Sequence, residues 1–487
     1  MLMLNLSKLE NILLFILFSV EVFIFINYLF YSAINLSYKY DVMYDEGSFF
    51  RFAWLIKRGK FNELYLDPKE NVFSTNINPP VFYIVQAILL LIFGDSLFPG
   101  RLISVISTLL IAFILYKMML KQTKNRIISL TFSIFIFTFY LTFYWTTVVR
   151  HDSLALLFSI LAIYFIRDYK KDKFRYLSLV FLLLAFYTKQ TAFLTFLAIC
   201  IFLLFRNRKI ALTFMLNYLA LIVFSFLIIN TITDGNFFSN IITYNFLPLS
   251  NYYALNILTD FFLDNFLIIA LAFIYVFRNI KESTSIYFII LFIFAVVSTF
   301  RKGVWIQNFF EPLIISSFLL SMFYFREKNL KFRIIILLLI LSSIAQEIYF
   351  YKFLTQSIIF PEKNTALKNL DSDEQLINIM RSTKGNILSD HKFHTFVAGK
   401  EPSLEIWSFF KLFMMGKANE TEFYSHIEKN NITMIIYRAA NEYERFSFFS
   451  KYLNENYTLV SILPFKDVYL RKASGEMYWK VYEKKSS

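Results

Sequence analysis

The chain is poor in cysteine and in charge. Its one cysteine, Cys200, sits in an apolar run, which excludes a disulfide framework and a cysteine-based metal site and leaves packing as its use. Only 17% of the 487 residues are charged, while 57% are hydrophobic and the mean hydropathy is +0.54. A soluble domain runs nearer about 25% charged and about 45–50% apolar, so a water-soluble globule is excluded. Gly-x-Gly-x-x-Gly and Walker-type loops are lacking, and with them the signature of a nucleotide site. No internal repeat or low-complexity linker is visible.

What is present instead is a series of long apolar runs, Ile12 to Phe30 and Ile334 to Ile344 among them, which need lipid. Lys and Arg number 49 against 35 Asp and Glu, a net charge of +14. In a membrane protein that excess belongs to cytoplasmic loops and anionic headgroups, so nucleic acid is not an expected partner. The first run, Leu9 to Leu36, is too long for a signal-peptide core and is predicted to stay as an anchor.

Charge then sets the topology. Lys117 to Arg126, Arg167 to Arg175, Arg206 to Lys209, Arg278 to Lys281 and Arg326 to Arg333 are basic connections, and they alternate with connections that carry only Arg150, Lys189, Arg301 and Lys302. The basic set marks the cytoplasm. Counting Pro79 to Phe93 as a span would invert every later loop, and the run is short for a crossing, so it is predicted as a juxtamembrane helix in the outer leaflet. The expected fold is a polytopic α-helical membrane protein of roughly eleven spans with juxtamembrane helices. Residues 1–350 form the membrane part, with 37–100 as the first outer loop, and 351–487 form a small extracytoplasmic mixed α/β domain. In that tail, Leu367 to Arg381, Glu420 to Asn430 and Asn441 to Asn454 read as helices, and Met434 to Tyr437, Tyr457 to Leu463, Val468 to Arg471 and Tyr478 to Tyr482 as strands.

Four outer segments carry the candidate chemistry. Asp45 opens a stretch ending at Gly59 that mixes Phe49, Phe50, Phe52 and Trp54 with Arg51, Lys57 and Arg58, the pattern of a helix lying in the membrane interface. A carboxylate at that depth suits a general base; a helix cap is the rival use of Asp45, and a first-turn acid opposing the dipole is that of Glu46. Arg150, His151 and Asp152 crowd a connection with almost no length, where polar groups must face a cavity or one another; Asp152 capping the next span, paired with Arg150, is the alternative. Lys189 and Gln190 stand at a hairpin tip, where the lysine suits a phosphate or snorkels to headgroups. Arg301 and Lys302 complete the outer cations and fit an anion site or plain headgroup contact.

Weaker signals are set aside. His391 and His394 lack a third ligand in the sequence and read as a loop, so no metal ligand set is assigned, and Glu21 within the first span has no evident partner. Asn419, Asn431 and Asn456 head glycosylation sequons.

An early outer loop with Asp45-Glu46, then Asn-Pro-Pro-Val-Phe-Tyr (Asn78 to Tyr83), Phe-Gly-Asp-Ser (Phe93 to Ser96), Gly-Arg-Leu (Gly100 to Leu102), an Arg-x-Asp at Arg150 to Asp152 and Thr-Lys-Gln at Thr188 to Gln190 resembles the GT-C glycosyltransferases over about residues 1–350. The branch is that of protein O-mannosyltransferases and lipid A aminoarabinose transferases. The resemblance implies Asp45 as the essential acid with Glu46 beside it, Asp152 as a second acid and Lys189 as the family's lysine. Gln190 departs from the glycine usual after it.

The resulting expectation is a glycosyltransferase of hexosyl or pentosyl type for the cell envelope of a prokaryote, with its site and tail facing outside. Its donor is a polyprenyl-phosphate sugar, its acceptor a glycan, lipid or protein, and membrane lipids surround it. No cofactor is assigned, and a divalent metal ion is left open. A polysaccharide polymerase or ligase would need Arg and His in a large late loop, which Thr231 to Phe262 lacks; a transporter would need mid-span ionisable residues, of which Glu21 is the one clear case.

Overall fold

The structure is a computed structural model describing residues 2–43, 45–67, 75–245, 247–304, 306–351, 365–400, 406–438, 442–465 and 477–485. Among the described residues of the first 350 run fifteen α-helices: α1 (Leu2–Ser37), α2 (Glu46–Lys57), α3 (Val81–Phe93), α4 (Phe98–Thr123), α5 (Arg126–Ile134), α6 (Tyr140–Thr146), α7 (Asp152–Ile166), α8 (Asp172–Thr188), α9 (Phe193–Arg206), α10 (Arg208–Ile232), α11 (Asn236–Ile241), α12 (Asn251–Arg278), α13 (Ser283–Ser298), α14 (Phe310–Arg326) and α15 (Leu330–Phe350). Among the described residues six helices are long and apolar enough to cross a membrane, or seven when α5 and α6, bent by 69°, count as one span. Four shorter apolar helices accompany them, and the chain is a multi-pass membrane protein.

Burial orders the bundle. The span ending in α14 has 89% of its apolar window buried and forms its centre, whereas α10 has only 11% buried and turns Leu216 and Phe224 outward. The basic connections gather at one end: Lys121 meets Asp168 at 2.8 Å, Arg326 meets Glu282 at 2.6 Å, and Arg333 meets Glu10 of α1 at 2.5 Å. At the other end Arg101, in the first turn of α4, donates to the carbonyls of Asn35 and Tyr38 where α1 finishes. The chain from 38 to 98 therefore starts and ends at one end of the bundle, which leaves no room for a single crossing by the 13-residue α3.

The interfacial reading of α2 needs correction. Phe49, Phe50, Phe52 and Trp54 are buried against protein, with Phe49 edge-on to Phe82 of α3 at 5.5 Å and Phe50 edge-on to Phe393 of the tail at 4.8 Å. Local spacing shows the aromatic face, and Phe82 together with Phe393, 343 residues after Phe50, covers it. Gly47 makes that approach feasible, because a Cβ there would stand 2.5 Å from the backbone nitrogen of Phe393.

Beyond residue 365 the chain turns α/β. Helices Thr365–Ser382, Lys392–Val397, Ile406–Met414, Glu420–Lys429 and Ser447–Asn456 surround a mixed sheet of order β1-β2-β4-β3, formed by β1 (Asn386–Ser389), β2 (Ile432–Arg438), β3 (Tyr457–Phe465) and β4 (Met477–Lys484). β1 runs parallel to β2, and the other pairs are antiparallel. One core of this part groups Phe409, Phe410, Phe423, Phe449 and Tyr437. The strand expected at Val468 to Arg471 lies outside the described residues.

Candidate active site

A cavity of about 590 Å³ opens where the first loop, the α6–α7 corner, the α8–α9 corner, the segment after α13 and the tail meet. Asp45 stands at the N-cap position of α2, yet its side chain makes no capping bond; it reaches Arg150 Nη1 at 2.7 Å. Arg150 lies in the short corner between α6 and α7, with its guanidinium 4.1 Å over the Trp145 ring and its Nε 2.9 Å from Asp152. Asp152 opens α7 and also receives Lys189 Nζ at 2.9 Å. The result is an alternating chain, Asp45–Arg150–Asp152–Lys189, drawn from three separate segments.

The break between α8 and α9 delivers the lysine. Lys189 leaves helical geometry at φ −152°, ψ 119°, and its own N–H closes the last turn on Ala185. Burial opposes its charge, but the carboxylates of Asp152 and Glu311 hold the ammonium above its ordinary range. Gln190, where the family resemblance calls for glycine, lies in a 3-10 turn at a backbone conformation open to any residue. Its amide donates to Ile77 O at 2.9 Å, fastening the 75–78 segment along the cavity. Asn76 holds the same segment by accepting from Tyr83 and from Asn78 N–H.

His151 also lines the cavity, stacked on Phe49 at 5.2 Å. Burial, with Lys189 and Arg150 nearby, lowers its pKa to about 3 against the pull of Asp152, so it is a neutral ring at physiological pH. Arg301 contributes from beyond α13, bonded through Nη1 to Asn245 O at 2.9 Å. Its buried Nε has no hydrogen-bond partner among the described residues.

Two expected members lie elsewhere. Lys302 is exposed and does not line the cavity. Glu46 is fully buried and points away from Asp45: its carboxylate takes Arg101 through both oxygens at 2.7 and 2.8 Å and accepts from the backbone of Val42, Met43 and Val149. It braces the loop, and Gly100, whose Cβ would stand 2.4 Å from Val149, allows α4 to approach that corner.

The tail supplies two residues that the local sequence did not single out, Trp407 and Lys411. Among the described residues the cavity has four cationic side chains, Arg150, Lys189, Arg301 and Lys411, against the carboxylates Asp45 and Asp152. A surplus of two positive charges suits an anion. One wall is apolar, with Phe294, Val297, Leu247 and Leu249; Val297 and Leu249 are 62% and 75% exposed, so the cavity rim continues onto the apolar outside. Among the described residues, the grouping of His and carboxylates able to share a metal ion is Asp41, His391 and His394, outside this cavity.

Residues 78–233 match the dolichyl-phosphate-mannose-protein mannosyltransferase family. That segment holds Arg150, Asp152 and Lys189. No curated protein matches the chain by sequence. Among solved structures, apo ArnT from Cupriavidus metallidurans superposes with a TM-score of 0.63 at 12% identity, covering 95% of this chain and 97% of that one. The same protein bound to undecaprenyl phosphate gives 0.60 at 12% identity, over 95% and 97%. The oligosaccharyltransferase AglB from Archaeoglobus fulgidus, in complex with an inhibitory peptide and a dolichol-phosphate, gives 0.51 at 11% identity over 88% of this chain and 70% of that one. At such identities the likeness shows the fold alone, one that this chain shares with ArnT and AglB.

Proposed function

We propose that this protein transfers a sugar, hexosyl or pentosyl, from a polyprenyl-phosphate carrier to an acceptor on the outer face of a prokaryotic cell membrane, with the tail on that same face. The observation that carries the reading is the ionic chain Asp45–Arg150–Asp152–Lys189 at the polar side of a cavity whose other wall, through Val297 and Leu249, runs onto the apolar exterior. Such a cavity accommodates a ligand with a charged head and a greasy tail. ArnT bound to undecaprenyl phosphate and AglB with a dolichol-phosphate support it by analogy of fold.

In this reading Lys189 and Arg301 face the carrier phosphate, and the prenyl chain lies along the apolar wall. The acceptor hydroxyl oxygen attacks the anomeric carbon as the bond to the phosphate oxygen breaks, its electron pair leaving with the phosphate. Asp45 takes the hydroxyl proton, and Arg150 fixes that carboxylate in place. Phosphate is a fair leaving group, so positioning and charge stabilisation carry most of the work. Asp152 keeps Arg150 and Lys189 apart and aimed. Direct displacement inverts the anomeric configuration.

The test is transfer from radiolabelled polyprenyl-phosphate sugars by purified full-length protein in liposomes, across a panel of sugars and of glycan, lipid and peptide acceptors. Donor-dependent product that vanishes in Asp45→Asn supports the reading. Donor that neither binds nor reacts overturns it.

A further inference from the structure

We propose that Asp41, His391 and His394 form a structural zinc site that clasps the segment after α1 to the α/β tail, with Asp373 as the carboxylate behind His394. The three side chains are fully buried, and one ligand atom from each lies within 4.8 Å of the others. Nδ1 of His391 and Nδ1 of His394 each stand 3.4 Å from the same Asp41 oxygen. Two ligands on a tetrahedral zinc, with bonds of about 2.0–2.1 Å, lie about 3.3 Å apart, so each of the two Asp41–histidine distances is that of two ligands on one ion.

The surroundings fit a metal as well. His394 turns its other nitrogen, Nε2, to Asp373 at 2.9 Å, the carboxylate–histidine pairing that sets tautomer and basicity in zinc sites. Asp373 is itself held by the Tyr38 hydroxyl. The second Asp41 oxygen, Oδ1, is buried without a hydrogen-bond partner among the described residues, a cost that coordination removes. With neutral imidazoles, the two charges of Zn²⁺ are matched by the Asp41 and Asp373 carboxylates. Nitrogen and carboxylate donors in this number suit zinc, with a fourth position for the second Asp41 oxygen or a water.

The clasp has a mechanical consequence. Asp41 precedes Asp45 by four residues, and the same segment is tied on its other side by Arg101 to Tyr40 O at 2.6 Å and by Glu46 to the amides of Val42 and Met43. Zinc would fix it to the tail, which also supplies Trp407 and Lys411 to the cavity.

The test is metal content of full-length protein purified in detergent through a tag without histidine. Wild type and Asp45→Asn should each hold close to one zinc per chain, which separates this site from the transfer chemistry. His391→Ala and His394→Ala should lose at least about tenfold in zinc, and Asp373→Asn should weaken retention against a chelator by about 10–100-fold. Should those variants fail to fold, the wild type serves alone: chelator should lower its melting temperature, and Zn²⁺ but not Mg²⁺ should restore it. Zinc-free wild type whose melting temperature responds to neither chelator nor zinc overturns the proposal and leaves His394 as a bridge between two carboxylates.

Discussion

Glu46 and Arg101 form a two-point ion pair at 2.7 and 2.8 Å with neither side chain reaching solvent. Arg101 spends its remaining donors on the carbonyls of Asn35, Tyr38 and Tyr40, so one guanidinium ties the end of α1, the first loop and α4 into a unit. Breaking a buried pair by removing one partner costs about 3–5 kcal/mol. Glu46→Gln and Arg101→Met should therefore each lower the melting temperature in detergent, and the double variant should cost less than the sum of the two. Glu46→Gln that melts like wild type yet has lost turnover would return Glu46 to the chemistry.

Asp45 behaves differently because it faces the cavity instead of the protein interior. Its carboxylate is 23% exposed and lines the cavity, and it makes no cap bond that folding would miss. Asp45→Asn keeps the size of the side chain and an oxygen that can accept from Arg150, so it should cost less stability than Asp152→Asn, while lowering turnover by about 10²–10⁴-fold, the usual worth of a general base. Asp152→Asn should instead destabilise, since Asp152 is buried between Arg150 and Lys189. Equal loss of stability in both variants would contradict this division.

Much of this arrangement is legible along the chain, and the reason is local. Apolar runs become helices wherever they are long enough, and the alternation of basic connections corresponds to the clustering of Lys121, Arg326 and Arg333 at one end. The strands β2, β3 and β4 follow from their β-branched and aromatic residues, whereas β1, four residues containing Asn386 and Ser389, has too little pattern to announce itself. Long-range partners are where spacing fails. Nothing near Glu46 foretells Arg101, nothing near His394 foretells Asp41, and Lys411 enters the cavity from a helix whose neighbours are ordinary tail core. His391 and His394 lacked a third ligand only because it lies 350 residues upstream.

Arg301 and Lys302 are adjacent cations with opposite placements, which makes them a built-in comparison. Arg301 lines the cavity and has a buried Nε without a partner among the described residues, whereas Lys302 is exposed outside it. A charge-assisted contact to phosphate is worth about 1.5–3 kcal/mol, so Arg301→Gln should weaken equilibrium binding of a polyprenyl-phosphate sugar by roughly tenfold or more, with Lys302→Gln near wild type. Lys189→Met should weaken it too, and should lower stability as well, because it leaves Asp152 with one partner fewer. Identical affinities for Arg301→Gln and Lys302→Gln would reduce both to headgroup contacts.

His151 gives a pH prediction whose sign follows from burial. Its folded pKa is about 3, against an ordinary value of 6.5, so below pH 6.5 the unfolded chain takes up a proton that the folded one refuses. Its stabilising contribution is whole above about pH 6.5 and falls as pH drops from there toward 3. The charged groups facing the ring are Asp152, Lys189 and Arg150, and all three are common to a His151→Phe variant, which also keeps the stack on Phe49. The difference between the two stability curves therefore isolates the imidazole. Between pH 7.5 and 5.5 wild type should lose about 1 kcal/mol more than His151→Phe, one pH unit being worth about 1.4 kcal/mol. Thermal melts of both proteins in the same detergent at each pH measure it, and parallel curves would show that the ring accepts a proton in place, either through water reaching it or through Asp152 stabilising the imidazolium.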